Sequence, residues 1–265
     1  MIQESIESES QFVWKQIRFI LFIPFLLFLI LFGKRKFSEL FEPLRELNHF
    51  IFEPKITASL VITNILVYLI EIFYLGEKGI TALAFRPTDL LQGNVIPIIA
   101  SWFLHASLAH LFGNMLVLYI FGRIIEKEFG AKILLIYFGS AIISDITSAL
   151  FGQGGIGASG AIAGLISVSL LMKPFNVTYL IMGIPLPIML VGWLSIISDI
   201  SGVLAPQQDN IGHFAHLGGY IAASALVFLF NQEERKQMKS GLYINIGFVL
   251  IASIIYFYLK GIGKI

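Results

Sequence analysis

Four side chains in this sequence have the types and surroundings that acyl-transfer chemistry requires. Ser159 stands in GIGASGAIAGL, a hydroxyl among the smallest residues, and His216 stands in AHLGG. A serine becomes a nucleophile when an imidazole accepts its proton, and the oxyanion that forms then needs hydrogen-bond donors. His110 and Asn114 are four residues apart, so on a helix they project from one face and can be such donors.

The chain that must position these side chains is far more apolar than a soluble domain. Of its 265 residues, 57% are hydrophobic and 13% are charged, whereas charged residues make up about a quarter of a soluble domain. This composition predicts a polytopic membrane protein, with the lipid bilayer as its surroundings. A net charge of +1 offers no basic field for nucleic acid, and the lack of cysteine excludes disulfides, thiolate metal sites and a cysteine nucleophile.

Apolar runs of about 20 residues, the length of a membrane span, predict an all-α bundle of membrane helices. The first run contains FILFIPFLLFLILFG, which is similar to a signal-peptide core, yet it lacks a small-residue cleavage site and ends in basic residues at 34–36. We interpret it as a retained anchor. The eight runs lie at about 13–33, 57–75, 103–123, 132–150, 158–173, 177–197, 211–230 and 242–259.

Basic loops orient the bundle, since Lys and Arg concentrate in short cytoplasmic connections. They occur between runs one and two, three and four, five and six, and seven and eight. Runs three, five and seven are therefore predicted to descend from the outer face. Ser159, His216 and His110 each lie a few residues into one of these runs, which at 1.5 Å per residue places them roughly 5 to 10 Å deep. We expect them to meet beneath the outer surface.

Small residues near the serine predict close helix packing. Gly160 and Gly164 form a small-xxx-small pair on run five, and Gly219 and Ala223 form another on run seven. If these faces abut, the hydroxyl of Ser159 reaches the imidazole of the seventh run.

These residues stand in motifs that resemble those of the rhomboid intramembrane serine proteases. The motifs HASLAHLFGN at 105–114, GRIIEKEFG at 122–130, GASG at 157–160 and AHLGG at 215–219 occur in that family's order and approximate spacing. Four linked motifs are far more specific than any one of them.

The resemblance implies a six-helix catalytic core over residues 57–230. An N-terminal tail, anchor segment and cytoplasmic linker would precede it at 1–56, and a cytoplasmic loop and an additional transmembrane helix would follow at 231–265. It also implies an endopeptidase that cuts transmembrane client proteins near the outer face of the cell membrane, with no cofactor and no metal.

The same resemblance assigns roles to the four side chains. Ser159 is expected to be the nucleophile and His216 the general base, a dyad that needs no aspartate as a third member. His110, Asn114 and the backbone N–H of Ser159 are the expected oxyanion donors.

Two departures from the family's pattern affect the surroundings of these groups. A Trp-Arg pair is common in the first outer loop, where this chain reads Ile96-Pro97. An aromatic residue is common four positions after the serine, where this chain has Ala163. Without that ring, His216 must be oriented by other contacts, and Ala163→Tyr is expected to be tolerated beside it.

Other functions are weighed against this hypothesis. A rhomboid-like pseudoprotease would bind clients without cutting them, but such proteins typically lack the serine or the histidine. An aspartyl protease is suggested by the repeated IISDI, yet Asp145 and Asp199 lack the glycine-framed motif and are interpreted as helix caps or packing groups. A zinc protease would need HExxH, which is absent.

Several remaining polar or helix-breaking residues are interpreted structurally. His213 competes with His216 for the role of base, whereas His105 is expected to be structural and Glu126 to cap or tie an inner loop. EERK at 233–236 is expected in a solvated loop. In run six, GIPLPIM suggests a kinked helix that either packs or moves as a lateral gate.

Overall fold

The computed structural model describes residues 9–179, 185–205 and 211–262, and within these ranges the chain is almost entirely helical. The only strands there are β1 (Val177–Thr178) and β2 (Leu186–Pro187), which pair antiparallel. The helices are α1 (Glu9–Leu31), α2 (Glu42–Phe52), α3 (Lys55–Ile70), α4 (Gly76–Leu83), α5 (Pro87–Gln92), α6 (Val95–Ser101), α7 (Leu108–Phe129), α8 (Lys132–Leu150), α9 (Ser159–Met172), α10 (Ile188–Leu204), α11 (His213–Ala225) and α12 (Gln232–Gly261). Short 3-10 turns occupy Phe37–Phe41 and Val227–Leu229, and a π turn at Glu71–Leu75 joins α3 to α4.

The all-α polytopic fold is confirmed. Each of the eight predicted runs contains a helix, and within the described residues five helices are long and apolar enough to cross a membrane. These are α1, the continuous α3–α4 unit, α7, α8 and α12. The helices α9, α10 and α11 are shorter, at 14, 17 and 13 residues.

The core of the bundle lies around α9. This helix contacts α7, α8, α10, α11 and α12, and 11 of its 14 residues are buried. A helix enclosed by protein does not need the length of one that faces lipid on most of its surface, which accounts for its short span. Its first residue is therefore held by neighbours on several sides.

Small residues set the approach of α8, α9 and α11, as the sequence predicts. A Cβ atom added to Gly219 would collide with the backbone carbonyl oxygen of Gly160, and one added to Gly164 would collide with the Oγ of Ser140. At the same level, the Oγ of Ser144 donates to the carbonyl oxygen of Ala215 at 2.6 Å. The glycines are required because backbones and short hydroxyls occupy the space that side chains would fill.

Adding one methyl group at this contact should therefore lower stability. We expect Gly219→Ala to reduce the free energy of unfolding by about 1 to 3 kcal/mol, because the new Cβ meets backbone that cannot rotate away. Gly247→Ala on α12 is the matched control, since a Cβ there has nothing within 4 Å. Thermal unfolding in detergent micelles compares the two variants, and equal melting temperatures would contradict the packing argument.

At Ala163 the structure corrects the expectation from the sequence. Ala163 is buried, and a Cβ on Gly219 would lie 2.7 Å from the Ala163 Cβ. There is no space here for an aromatic ring, so the expected tolerance of Ala163→Tyr is wrong. The close approach of α9 and α11 excludes the ring because the glycine contact has already brought the two backbones together.

Run six differs from its prediction as a single kinked helix. Its first part forms the hairpin of β1 and β2, and α10 begins only at Ile188. Pro187 ends β2 and is the N-cap residue of α10, so the described proline residues precede the helix and do not interrupt it. Proline suits this boundary because its fixed φ and missing N–H cost little there. Residues 180–184 of the run lie outside the described residues.

Two other helix boundaries differ from the predicted runs for reasons of capping. The segment EERK belongs to the first turns of α12, and not to a loop, because Asn231 and Glu234 form a capping box. The helix α7 starts at Leu108, later than predicted, where the Oγ of Ser107 accepts from the backbone N–H of His110 at 3.1 Å.

Glu126 ties the start of α3 to α7, as the sequence analysis expects. Its carboxylate accepts the backbone N–H groups of Ile56 at 2.9 Å and Thr57 at 2.7 Å. The neighbouring Arg123 donates to Glu53 at 2.9 Å and stacks 3.8 Å over the Phe50 ring. These contacts hold the end of the bundle opposite the first turn of α9.

Candidate active site

Ser159 is the first residue of α9, and the loop that delivers it is held by backbone hydrogen bonds. Phe85 and Gly155 exchange N–H···O bonds of 3.1 and 3.0 Å, and the N–H of Gly157 donates to the carbonyl oxygen of Ser101 at 2.8 Å. Gly157 has φ +131°, a conformation that favours glycine. The residue Phe85 before α5 and the last residue of α6 thus anchor the residues just before Ser159.

The hydroxyl of Ser159 contacts the imidazole of His216. The Oγ and Nε2 atoms are 2.7 Å apart, within hydrogen-bond range, and His216 lies in the first turn of α11. The two side chains are 57 residues apart in sequence and meet because α9 and α11 pack at their glycines. This is the nucleophile-to-base geometry that acyl transfer needs.

The structure also places Asp199 at this site, which the sequence analysis did not expect. The Oδ1 atom of Asp199 on α10 lies 2.7 Å from Nδ1 of His216. Asp199 therefore joins α10 to α11, as a packing group would, and it also contacts the imidazole that faces Ser159, which the interpretation from the sequence did not include. The sequence does contain a signal for this contact. A carboxylate inside an apolar run is costly, so Asp199 is a functional candidate by its position alone.

Two further donors converge on the same carboxylate. Nδ1 of His213 lies 2.9 Å from Oδ1, and the hydroxyl of Tyr220 donates to Oδ2 at 2.8 Å. His213 is also buried against Gly202 of α10. The imidazole that contacts Ser159 is that of His216, so the structure separates the two histidines that compete in the sequence.

His110 and Asn114 lie across the same cavity, one turn apart on α7. A Cβ added to Gly157 would lie 2.9 Å from the His110 ring and 3.6 Å from Nδ2 of Asn114, so both side chains flank the loop before Ser159. The cavity holds about 950 Å³ and is lined by Ser159, His216, His110 and Asn114, among other residues. The structure thus brings all four sequence-predicted side chains around one space.

His105 holds the amide of Asn114, consistent with the structural role expected for it. Its Nδ1 lies 3.0 Å from the carbonyl oxygen of Phe103 and its Nε2 lies 3.0 Å from Nδ2 of Asn114. A carbonyl only accepts, so Nδ1 carries the proton and Nε2 accepts from the amide. The backbone N–H of His105 is in turn accepted by Glu71 at 3.1 Å.

Asp145 also lines the cavity, but its partner is structural. It accepts the indole N–H of Trp102 at 2.7 Å, which ties the segment after α6 to α8. This contact agrees with the expected packing role.

Asp199, His213 and His216 are also a possible metal-ligand group, because one donor atom from each lies within 4.8 Å of the others. Both Nδ1 atoms are hydrogen-bonded to the carboxylate. A metal would have to replace these hydrogen bonds and their protons, so the arrangement fits an imidazole-orienting network better than a metal site.

Comparison with known proteins covers the part of the chain that builds this site. A family model described as "Rhomboid domain" matches residues 92–233. The chain is 31% identical over 154 residues to "RHOMBOID-like protein 12, mitochondrial" of Arabidopsis thaliana, an alignment that covers 50% of this chain and 46% of that protein. It is 37% identical over 130 residues to "RHOMBOID-like protein 1" of the same plant, covering 48% and 32%. It is 31% identical over 181 residues to "Rhomboid protease GluP" of Bacillus subtilis (strain 168), covering 66% and 35%. The chain thus spans less than half the length of each of these three relatives.

Proposed function

Because this chain belongs to the rhomboid family, we propose that it is a serine endopeptidase that cleaves transmembrane segments of client proteins. The observation that carries the proposal is the 2.7 Å contact between Ser159 Oγ and His216 Nε2 in a cavity of a membrane helix bundle. The relative GluP is named a rhomboid protease, and a protease activity of this chain is our inference.

The reaction begins when the Ser159 hydroxyl attacks the carbonyl carbon of the scissile peptide bond. The hydroxyl proton passes to Nε2 of His216, which lies 2.7 Å from Oγ, and the carbonyl oxygen becomes an oxyanion. Nε2 is free to accept because Nδ1 donates its proton to the carboxylate of Asp199. The intermediate then collapses, the C–N bond breaks, and His216 returns the proton to the departing amine.

The oxyanion is stabilised by donors that already surround the cavity. The first N–H groups of a helix have no intrahelical partner, so the N–H of Ser159 at the start of α9 can donate. Asn114 uses one amide hydrogen on His105 and retains a second for the oxyanion. His110 lines the same space. Water that enters the cavity then attacks the acyl-enzyme with His216 again as base, which releases the second product.

The substrate follows from the surroundings of the nucleophile. Client helices hide their carbonyls in hydrogen bonds, so the segment must unwind locally before Ser159 can attack. Glycine, proline or polar residues weaken the helix and favour cleavage. Runs three, five and seven descend from the outer face in our topology, so the cut lies near the outer end of the client's span. We also propose that the membrane is the plasma membrane.

Activity-based labelling tests this proposal directly. The full chain in detergent micelles is treated with a fluorescent fluorophosphonate, and the labelled peptide is mapped by mass spectrometry. We expect one adduct, on Ser159, together with cleavage of single-pass clients in their outer third. A folded protein that takes no label and binds clients without cutting them would instead be the pseudoprotease considered in the sequence analysis.

Asn114 provides a more specific test of the oxyanion site. We expect Asn114→Ala to lower turnover by about 10² to 10³, with little change in KM, because the donor acts only as charge develops. The matched control is Asn94→Ala, since Asn94 is bonded to Asp89 outside the cavity. A change confined to KM would make Asn114 a docking residue.

A further inference from the structure

The carboxylate of Asp199 is the most heavily hydrogen-bonded group near the nucleophile. Its side chain is 8% exposed, and it lies within 2.9 Å of donors on three residues of α11: His213, His216 and Tyr220. A buried carboxylate is costly unless its lone pairs are satisfied. These contacts meet that requirement and fix the position of both oxygens.

We propose that Asp199 is a positioning residue that completes a Ser159–His216–Asp199 triad, and that His213 and Tyr220 hold its carboxylate in place. The inference rests on the proposed protease function, and it differs from the family resemblance, which implies a dyad without an aspartate.

The first argument is tautomeric. A carboxylate only accepts, so its contact at 2.7 Å requires a proton on Nδ1 of His216 and leaves Nε2 as an acceptor for the Ser159 proton. Asn at position 199 could donate its amide N–H to Nδ1. That would shift the ring proton to Nε2, where it blocks proton transfer from the serine.

The second argument concerns charge. When His216 takes the serine proton it becomes an imidazolium, and an ionised carboxylate 2.7 Å from Nδ1 stabilises it. Asp199 does not take up the proton in this step. The contact strengthens as the positive charge develops, which is what a contribution to turnover requires.

The third argument is that nothing else described in the structure orients the base in this way. The position that would supply a stacking aromatic ring holds Ala163, which is packed against α11 with no room for a ring. Asp199 on α10 therefore orients the His216 imidazole through Nδ1, as an aromatic ring on α9 would by stacking. His213 and Tyr220 place that partner because they approach Asp199 from the same helix as His216.

The test compares Asp199→Asn and Asp199→Ala with the parent by fluorophosphonate labelling and client cleavage. In both variants we expect the maximal labelling rate and kcat to fall about 10² to 10⁴-fold, with the inhibitor constant and KM unchanged. The kcat of Asp199→Asn should be no higher than that of Asp199→Ala. The control is Ser195→Ala on the same helix, whose hydroxyl donates to the carbonyl oxygen of Val191 and does not line the cavity; its kcat should stay within about twofold of the parent's.

A second measurement does not depend on activity. In full-length Ser159→Ala protein with ¹⁵N-labelled histidine, the nitrogen chemical shifts of His216 report which ring atom carries the proton. We expect the Nδ1–H tautomer with Asp199 present and its loss in the Asp199→Asn background. If Asp199→Asn fails to fold, the tautomer in the Ser159→Ala protein still decides the matter.

Two results would overturn the proposal. One is an Asp199→Asn or Asp199→Ala protein that labels and cleaves within tenfold of the parent, which would mean that the dyad acts alone. The other is an Nε2–H tautomer of His216 while Asp199 is intact. Failure of the protease function itself is recognised separately, because then the parent also takes no label.

Discussion

The Ser159→Ala variant is expected to lose all measurable client cleavage while keeping its fold. Removal of a serine nucleophile that works with a base lowers kcat on the order of 10⁶-fold, because the remaining groups can only bind the client and polarise its carbonyl. The change deletes one oxygen atom at the edge of a cavity, so packing is almost unaffected. Cleavage of a single-pass client in proteoliposomes, followed by mass spectrometry of the products, measures the loss.

Ser169→Ala is the matched control for this variant. Ser169 lies on the same helix, is fully buried, and its hydroxyl has no hydrogen-bond partner among the described residues. The control removes the same atom from α9, away from the cavity, and should leave cleavage unchanged. Full cleavage by a folded Ser159→Ala protein would falsify the serine mechanism.

The His216→Ala variant is expected to show the second large effect. Without the imidazole no group described in the structure lies within hydrogen-bond distance of the Ser159 hydroxyl, so the serine stays protonated and weakly nucleophilic. We expect kcat to fall about 10⁴ to 10⁶-fold. Fluorophosphonate labelling should be undetectable in the time that labels the parent protein. Client binding should persist, because the cavity and its oxyanion donors remain.

His213→Ala tests whether the correct histidine has been assigned. His213 contacts Asp199 and not the serine, so its loss weakens only the support of the carboxylate. We expect a decrease of about 10-fold to 10²-fold, measured beside thermal unfolding to separate instability from lost activity. A larger loss of kcat for His213→Ala than for His216→Ala would reverse the assignment.

Several features could be predicted from the sequence because they depend on short-range spacing. His110 and Asn114 share a face because four residues make about one helical turn. The apolar runs predict helices because an unpaired backbone is too costly in lipid. Gly160 and Gly219 indicate close approach of two helices because each belongs to a small-xxx-small pair along one helix. The structure confirms the contact.

Other features escaped prediction because local chemistry overrides an apolar pattern. The hairpin before α10 replaces the start of run six, and Pro187 begins a helix where a kink was expected. The charged segment 233–236 joins α12 because its capping box satisfies the first N–H groups of the helix. Hydrophobic periodicity alone predicts neither the hairpin before α10 nor the capping box of α12.

The sequence by itself determined the helical class of this protein, its membrane character and the four side chains that surround the cavity. Those conclusions need only residue types, the order and spacing of the apolar runs and motifs, and the basic loops that orient the runs. The tertiary structure alone decided that Asp199 meets His216, and it brought His216, the histidine that the sequence favoured, to Ser159, since these residues stand on α9, α10 and α11. The rotation and separation of three helices result from many packing contacts summed over the bundle. A shift of one turn would remove either hydrogen bond, so no spacing within a single run could reveal it.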